Sequence, residues 1–274
     1  MKPLIHQNNK KPLLLSKRIA NIGICTIIIV FVWAFTSKPP ECEPYTTGEK
    51  LEYRVHYGMM DAAKITMTID TGIKSVNGHN TIRIMGDGKT LSGYDWFFKV
   101  RDHYETFIDT HTNLPVKYIR NVQEGGYKDI EHATFDQRNN KIYSSKGIYK
   151  SDGASFQDVL SVIYYLRSQD LKTMKKGDKI KVKFYLDQVI YESEVTIGGR
   201  EVIKTALGKF NTIILKPNVV VDRVFPNKDA LTIWATDDAN LIPLRIKTEL
   251  MVGSIKADIT KINGNKNSLT SKVN

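Results

Sequence analysis

The chain has 274 residues, of which 41% are hydrophobic and 25% are charged, which is the composition of a globular protein and excludes a disordered one. Two cysteines are too few for a disulfide framework. The net charge of +11 raises the question of nucleic-acid binding. However, five basic residues lie within the first 18 positions and the others are spread among acidic neighbours. The sequence therefore predicts a solvated basic surface and no nucleic-acid partner.

The N-terminal region predicts export. A basic tail, residues 1–18, precedes an apolar run at 19–35 and a proline-rich linker at 36–47. The run is long enough to span a hydrocarbon core, and the basic residues before it, with Glu41 and Glu43 after it, predict that the N-terminus stays inside. A cleaved signal peptide and a retained anchor both fit this pattern. We favour a single-pass anchor in the inner membrane, with the folded part on the periplasmic side.

Cys42 does not resemble a lipidated cysteine. A bacterial lipobox has small residues immediately before the cysteine, and Pro39, Pro40 and Glu41 occupy those places. We therefore do not expect a lipoprotein.

After the linker, the chain alternates apolar and polar residues as half-buried strands do. "KLEYRVHY" and "AKITMTIDT" begin this pattern, and further short runs separated by Gly, Asn and Asp continue it. Such spacing predicts an antiparallel meander. The exception is "SFQDVLSVIYYLRSQDL", where apolar residues recur at helical spacing and Ser155 with Asp158 offers an N-terminal cap.

The meander contains an internal repeat. Asp109, Pro115 and Gly125 recur as Asp237, Pro243 and Gly253 at a constant spacing of 128. "GEKL" likewise recurs as "GDKI" at a spacing of 129. The predicted fold is mainly β, with two tandem-repeat antiparallel units forming curved sheets or an open barrel. The predicted segments after the linker are a first repeat at 48–135, a connection with one helix at 136–176, a second repeat at 177–262 and a polar tail at 263–274.

The repeat bears on the adjacent carboxylates Asp237 and Asp238. They could form a catalytic dyad, or they could shape a corner by accepting hydrogen bonds from backbone N–H groups two or three residues on. The first copy has Thr110 where the second has Asp238, so the pair itself is not repeated. We interpret the stretch as a corner between strands.

No catalytic, cofactor-binding or metal-binding residues are predicted. "GDGKT" at 86–90 lacks the first glycine of a phosphate-binding loop, because Arg83 stands in its place. The histidines have no ligand spacing on a helix. The best candidates for a hydrolase would be His103, Glu105 and Asp102, which lie together on one strand. We expect a protein that is not an enzyme.

The most aromatic stretch is "YDWFFKVRDHY", and its counterpart in the second copy loses Trp96 and Phe98. These rings could fill the core, or they could line an apolar opening in which a curved sheet holds a lipidic ligand. Trp96, Phe98 and Trp234 are the predicted lining residues.

The ordered motifs "GEKLEYRVHYG", "FFKVRDHYETFID", "DVLSVIYYLR", "TALGKF", "LTIWATDD" and "GSIKADI" resemble the domain-of-unknown-function 3108 family of exported bacterial proteins. The resemblance covers nearly everything after the apolar run. It implies a β-rich exported fold and brings no activity or catalytic residues. The "FIDTHTNLPVKY" corner also resembles those of periplasmic lipoprotein carriers, which are open half-barrels.

These observations lead to a hypothesis and two alternatives. The first is a non-enzymatic envelope protein that binds an apolar or lipidic ligand in a curved sheet. The second is an envelope scaffold or assembly factor with a protein partner, and the third is a hydrolase.

Overall fold

The computed structural model describes residues 44–96, 98–153, 155–218, 230–251 and 253–273. The chain divides into two units, Met1–Glu41 and Cys42–Asn274, and all of these residues belong to the second. The predicted tail and apolar run lie outside the described residues, as do Cys42 and most of the predicted linker. Within the described ranges, none of the helices has the length and apolar character that a membrane crossing needs.

The described chain is mainly β, as predicted, with one α-helix, α1 (Ser161–Arg167). The strands in chain order are β1 (Lys50–Tyr57), β2 (Met60–Val76), β3 (His79–Thr90), β4 (Arg101–Asp109), β5 (Pro115–Glu124), β6 (Tyr127–Asp136), β7 (Lys141–Ser144), β8 (Gly147–Lys150), β9 (Phe156–Asp158), β10 (Lys179–Leu186), β11 (Val189–Thr205), β12 (Gly208–Pro217), β13 (Leu231–Thr236), β14 (Pro243–Glu249), β15 (Ser254–Asn263) and β16 (Lys272–Val273).

All the described strands belong to a single sheet. Its order is β8-β7-β6-β5-β4-β3-β2-β1-β15-β14-β13-β12-β11-β10-β9, and β16 pairs with β12. The two predicted copies therefore do not form separate sheets, because β1 pairs with β15 and joins them edge to edge. Strands of similar length nevertheless recur in the same order, and β2 and β11 both have 17 residues.

The helix begins later than its sequence pattern predicts. Phe156–Asp158 forms β9, which pairs in parallel with Lys183–Tyr185 of β10. Tertiary pairing overrides the local helical spacing at this point. Asp158 accepts hydrogen bonds from the N–H groups of Leu160 and Ser161 at the start of the helix, whereas Ser155 has a positive φ and takes no part.

A bulge bends the long hairpin of β11 and β12. The register shifts between Ile197 and Gly199. A Cβ at Gly198 would lie 2.7 Å from Cγ2 of Ile214, so only glycine allows this close approach. Gly199 has a φ of +109°, which glycine adopts without strain.

The sheet curls until its two ends face each other. The Phe135 and Phe156 rings are 5.7 Å apart, and the hydroxyl of Tyr185 on β10 donates to Glu131 on β6. β8 and β9 end the strand order and do not pair with each other. We call this side-chain contact between β4–β8 and β9–β10 the seam.

The predicted corners are confirmed, with one change. Asp109 accepts hydrogen bonds from the N–H groups of His111 and Thr112 at 2.8 and 2.9 Å. In the second copy Asp238 accepts from the N–H of Asn240 at 2.9 Å, while Asp237 pairs with Arg200. Both copies use an aspartate to shape the turn, but its position differs by one residue.

Gly264 offers a test of how tightly the start of β1 is packed. It has a φ of +66°, and a Cβ there would lie 2.7 Å from the carbonyl oxygen of Gly48. Gly264→Ala should cost about 3 kcal/mol of unfolding free energy, because a side chain clashes with backbone and also strains φ. Gly78→Ala, at a φ of +80° with open space around it, should cost only about 1 kcal/mol. Urea unfolding of the Cys42–Asn274 unit measures both, and equal costs would contradict the close packing.

Candidate ligand-binding interior

The interior of the curled sheet is occupied by one stretch of chain, Phe156–Leu171, which we call the inner segment. Its apolar side chains are buried or half-buried and are divided among three hydrophobic clusters. Leu160 and Tyr164 belong to the first, Leu166 to the second and Phe156 to the third. The inner segment therefore covers the concave apolar surface on which a ligand was predicted to bind.

A buried carboxylate holds the start of the inner segment. Asp158 accepts hydrogen bonds from the Thr106 hydroxyl on β4 at 2.6 Å and from the N–H groups of Leu160 and Ser161 at 2.8 Å. Burial raises the pKa of Asp158 even though these hydrogen bonds oppose the shift. The Thr106 bond crosses the seam and is one of the few polar contacts between the inner segment and β4.

A buried ion pair holds the end of α1. Arg167 donates to both carboxylate oxygens of Glu49, at 2.5 and 2.8 Å, and the two side chains are only 2% and 0% exposed. Arg167 also donates to the carbonyl oxygens of Asn240 at 3.0 Å and Pro44 at 3.1 Å. This arrangement satisfies the guanidinium as a buried charge requires.

Two aromatic rings complete the surroundings of Arg167. The guanidinium carbon lies 5.4 Å from the ring centroid of Tyr45 and 5.2 Å from that of Tyr164. Both distances allow a cation–π attraction. The end of α1 is thus tied to the chain entry before β1 and to the turn between β13 and β14.

Several buried polar groups of the interior have no hydrogen-bond partner in the described part of the chain. They include the hydroxyls of Tyr118 and Tyr164 and both amide atoms of Gln157. Each such group costs about 1–3 kcal/mol relative to a paired one.

Beneath α1 lies an apolar void of about 30 Å³, lined by Ile163, Leu215, Ile233 and Leu241 among others. It is too small for a lipid chain. A ligand could reach the concave surface only if the inner segment moved.

A carboxyl pair lies on β4 and β5 at the end of the sheet away from Arg167. Asp102 accepts from the N–H of Gln123 at 3.1 Å. Burial, followed by repulsion from Glu124, raises the pKa of Asp102 to about 6. Arg120, on the same face of the sheet, pairs with Asp129 at 3.5 Å and with Asp187 across the seam.

The predicted lining residues do not come together. Trp96 and Phe98 lie on the connection between β3 and β4, and their side chains are 83% and 50% exposed. Trp234 is half-buried on β13, six strand pairings away across the sheet, and its indole N–H donates to Glu201. Binding of an apolar ligand by these three residues stays a prediction.

The hydrolase candidates are separated by the alternation of β4. His103 lies between Asp87 at 2.7 Å and Glu105 at 2.9 Å, and Glu105 also accepts from Arg83. Partial burial lowers the pKa of His103, but its hydrogen bonds to the two carboxylates raise the pKa overall. Both ring nitrogens are engaged, so this group is a poor general base. Asp102 points to the opposite face.

Sequence reasoning missed Glu49, Asp158 and Arg167 as a set. Arg167 is four residues after Ile163, so helical spacing puts a charge on the apolar face. A charge in that position signals a buried partner. The identity of the partner, 118 residues away, has no local signal.

No group of three or more His, Cys, Asp and Glu side chains in the described ranges is arranged to hold a metal ion.

A family model described as "Protein of unknown function (DUF3108)" matches residues 52–260. The chain belongs to the DUF3108 family. No curated protein matches this DUF3108 chain.

Two solved structures are similar to this DUF3108 protein. The first is a β-barrel-like protein of domain of unknown function DUF1849 from Brucella abortus. It has 9% identity and a TM-score of 0.54, with 81% of this chain and 99% of that one covered. The second is described as a "putative lipoprotein" from Parabacteroides distasonis, with 12% identity, a TM-score of 0.32 and the same coverage. The first likeness supports a β-barrel-like fold, and the second is too low to carry an argument.

Replacement of Arg167 tests the buried ion pair. Arg167→Met should cost about 3–5 kcal/mol of unfolding free energy, because it leaves the Glu49 carboxylate buried without a partner. Glu49→Leu combined with Arg167→Met should cost less than the sum of the single changes, since no charge is then left unpaired. Urea unfolding of the Cys42–Asn274 unit is the measurement. Lys179→Met, which breaks the exposed pair with Glu194, is the control and should cost less than about 1 kcal/mol. A similar loss of unfolding free energy in Arg167→Met and Lys179→Met would refute the stabilising role of the buried ion pair.

The raised pKa of Asp102 predicts a pH dependence of stability. The folded protein holds a proton on Asp102 up to about pH 6, whereas the unfolded chain releases it near the ordinary value of 3.8. Stability therefore falls as pH rises through this window. Asp102→Asn should remove the fall and should be more stable than the wild type by about 1 kcal/mol at neutral pH, a value reduced by solvent screening of a half-buried group.

Thermal unfolding of wild type and variant between about pH 4 and pH 8 measures this effect, and the two should converge at the acidic end. Asp136→Asn is the control, because hydrogen bonds from Asn139 lower the pKa of Asp136. Its stability relative to the wild type should therefore fall as pH rises, whereas that of Asp102→Asn should rise. A constant difference between Asp102→Asn and wild type across the range would contradict the prediction.

Proposed function

We propose that this DUF3108 protein is a non-enzymatic component of the cell envelope that binds an apolar or lipidic ligand between its curved sheet and its inner segment. The observation that carries the proposal is that the inner segment covers a large apolar concave surface but is held at its two ends by specific polar contacts. Thr106 and Asp158 hold one end, and Glu49 and Arg167 hold the other. Export remains an expectation from the apolar run at 19–35.

The seam supports this proposal because it can open without loss of strand pairing. β8 and β9 share no ladder hydrogen bonds, and side chains such as Phe135, Phe156 and Tyr185 join the two ends of the sheet. The Gln137 amide adds two hydrogen bonds to the backbone of Phe156. Opening would expose apolar surface but would break few backbone hydrogen bonds. A lipid chain could then replace the lost contacts, at about 0.8 kcal/mol per buried CH₂ group.

The unpartnered polar groups favour the same function. Displacement of the inner segment would release the Gln157 amide and the Tyr164 hydroxyl from a site where neither has a partner. The polar contacts of the inner segment would then set the affinity, since a ligand must first offset the free energy that keeps the segment in place.

A scaffold that binds a protein partner is the second candidate, and one observation favours it. β8 is an edge strand of only four residues, and Ile148 on it is exposed. A free edge can accept a strand from another chain. Crosslinking in whole cells separates the two functions, because a scaffold should give one dominant protein adduct and a lipid-binding protein should give lipid.

Loosening of the inner segment tests the proposed function. Thr106→Val removes the hydroxyl that donates to Asp158 and should raise the affinity of the Cys42–Asn274 unit for cis-parinaric acid about tenfold. The reason is that about 1.4 kcal/mol less is then needed to displace the segment. Fluorescence titration with this acyl probe is the measurement.

Thr260→Val is the matched control, because it removes an exposed hydroxyl that donates to the carbonyl oxygen of Glu52 outside the interior. It should leave probe affinity unchanged. Native mass spectrometry of the unit purified from envelope should show bound lipid. Absence of probe binding by both wild type and Thr106→Val, together with a lipid-free mass, would refute an interior ligand.

A further inference from the structure

One end of the sheet carries a group of exposed apolar side chains. Four turns between neighbouring strand pairs lie there: β14–β15, β1–β2, β3–β4 and β5–β6. The exposed side chains at these turns, which we call the rim, are Tyr57, Met59, Met60, Trp96, Phe98, Tyr127 and Met251. They are seven of the thirteen large apolar side chains exposed in the described part of the chain, and all seven lie at these four connections. Such a concentration marks an interaction surface.

The rim is continuous from turn to turn. The Tyr57 ring lies beside Gly253 of the β14–β15 turn, where an added Cβ would be 3.3 Å from its hydroxyl oxygen. The Phe98 ring covers Gly125 of the β5–β6 turn in the same way, at 2.9 Å. The β3–β4 connection is tied to β2 by a hydrogen bond from the N–H of Leu91 to the carbonyl oxygen of Ala62.

The opposite end of the sheet differs in chemistry. Its turns include Asn77 and Gly78, the corner from Asp109 to Asn113 and the corner from Asp237 to Asn240, which are mostly polar. Pro44, where the described chain begins, is also at that end, because its carbonyl oxygen contacts Arg167. At about 3.3 Å per residue, the length of β1 separates the rim from the chain entry by roughly 26 Å.

Exposed lysines lie beside the rim, where the carboxylates of Asp61 and Asp95 are already paired with Arg54 and Arg101. Lys64 and Lys89 are cross-strand neighbours on β2 and β3, and Lys99 and Lys128 follow Phe98 and Tyr127 directly. All four lysines are exposed, and within the described residues none of them pairs with a carboxylate. An anionic surface would complement this charge, as anionic leaflets complement basic segments.

From this geometry we propose that the rim is a docking surface for an anionic phospholipid bilayer. Trp and Tyr side chains are suited to the headgroup level, and Met and Phe side chains to the acyl boundary beneath it. The side chains project from separate turn tips at one end of the sheet, so several of them can enter the interface at once. The rim lies outside the interior, and this proposal does not depend on a ligand there.

The test uses vesicles of phosphatidylethanolamine and phosphatidylglycerol with the Cys42–Asn274 unit, which contains all three hydrophobic clusters of the described fold. The unit should float with the vesicles, and emission from Trp96 should be quenched by brominated lipid. The triple variant Met59→Ser, Trp96→Ser, Met251→Ser should bind at least tenfold more weakly. The matched control is Ile73→Ser, Ile148→Ser, Val202→Ser, which removes three other exposed apolar side chains away from the rim and should bind as the wild type does.

Charge is tested separately. Lys64→Gln, Lys89→Gln and Lys99→Gln together should weaken binding to these vesicles severalfold and should have no effect on the residual binding to phosphatidylcholine alone. Equal losses by the rim variant and the matched control would overturn the proposal. The proposal would also be overturned if the wild-type protein did not bind vesicles but dimerised through the rim. That result would identify a second copy of the chain as the occupant. The rim variant should still bind cis-parinaric acid, so failure of this proposal and failure of the interior-ligand proposal are distinguishable.

Discussion

The ion pair between Glu49 and Arg167 is the constraint on which the arrangement of the interior depends. It joins residues 118 positions apart, and the same guanidinium holds the carbonyl oxygens of Pro44 and Asn240. The guanidinium of Arg167 therefore binds the chain before β1 and the turn between β13 and β14 to the inner segment. An apolar side chain at 167 could fill the space, but it could not fix three backbone segments by directional bonds. Geometric specificity is the best physical reason for burying a charge whose desolvation is so costly.

Local pattern was sufficient to predict most strands of the two repeats and the corners between them. It missed β7, β8 and β9, which lie in the segment predicted as a connection with one helix. Apolar alternation identified β1 and β2, and the recurrence of Asp, Pro and Gly identified the corners that Asp109 and Asp238 shape. The joining of both copies into one sheet was not predictable, because it depends on the pairing of β1 with β15 across about 200 residues. The start of α1 was misplaced for a similar reason. Phe156 has helical spacing to Leu160, but a partner on β10 draws it into a strand.

The predicted lining residues also show that local sequence pattern does not reveal which distant residues come together. The aromatic content of the stretch identified Trp96 and Phe98 as candidate binding residues, and both rings are indeed exposed. However, a local pattern cannot distinguish an aromatic residue inside a curved sheet from one at the end of the sheet. The decisive information is which turns lie side by side, and this follows from strand order alone. Trp234 illustrates the converse, because it alternates correctly along β13 and yet lies beside Glu201, far from the other two rings.

The two ends of the sheet differ in how firmly they hold the inner segment, and this difference indicates where a ligand would enter. At the end near Pro44, Arg167 makes four hydrogen bonds in a site closed to solvent. At the rim end, the seam is closed by Arg120 and by Asp187, whose side chain is 55% exposed. When this pair breaks, Asp187 returns to solvent and Arg120 keeps Asp129 as a partner, whereas loss of Arg167 leaves Glu49 buried without one. We therefore expect the rim end to open at the lower free energy. A lipid delivered there would pass directly from a bilayer docked on the rim to the concave surface, without release of the Arg167 end.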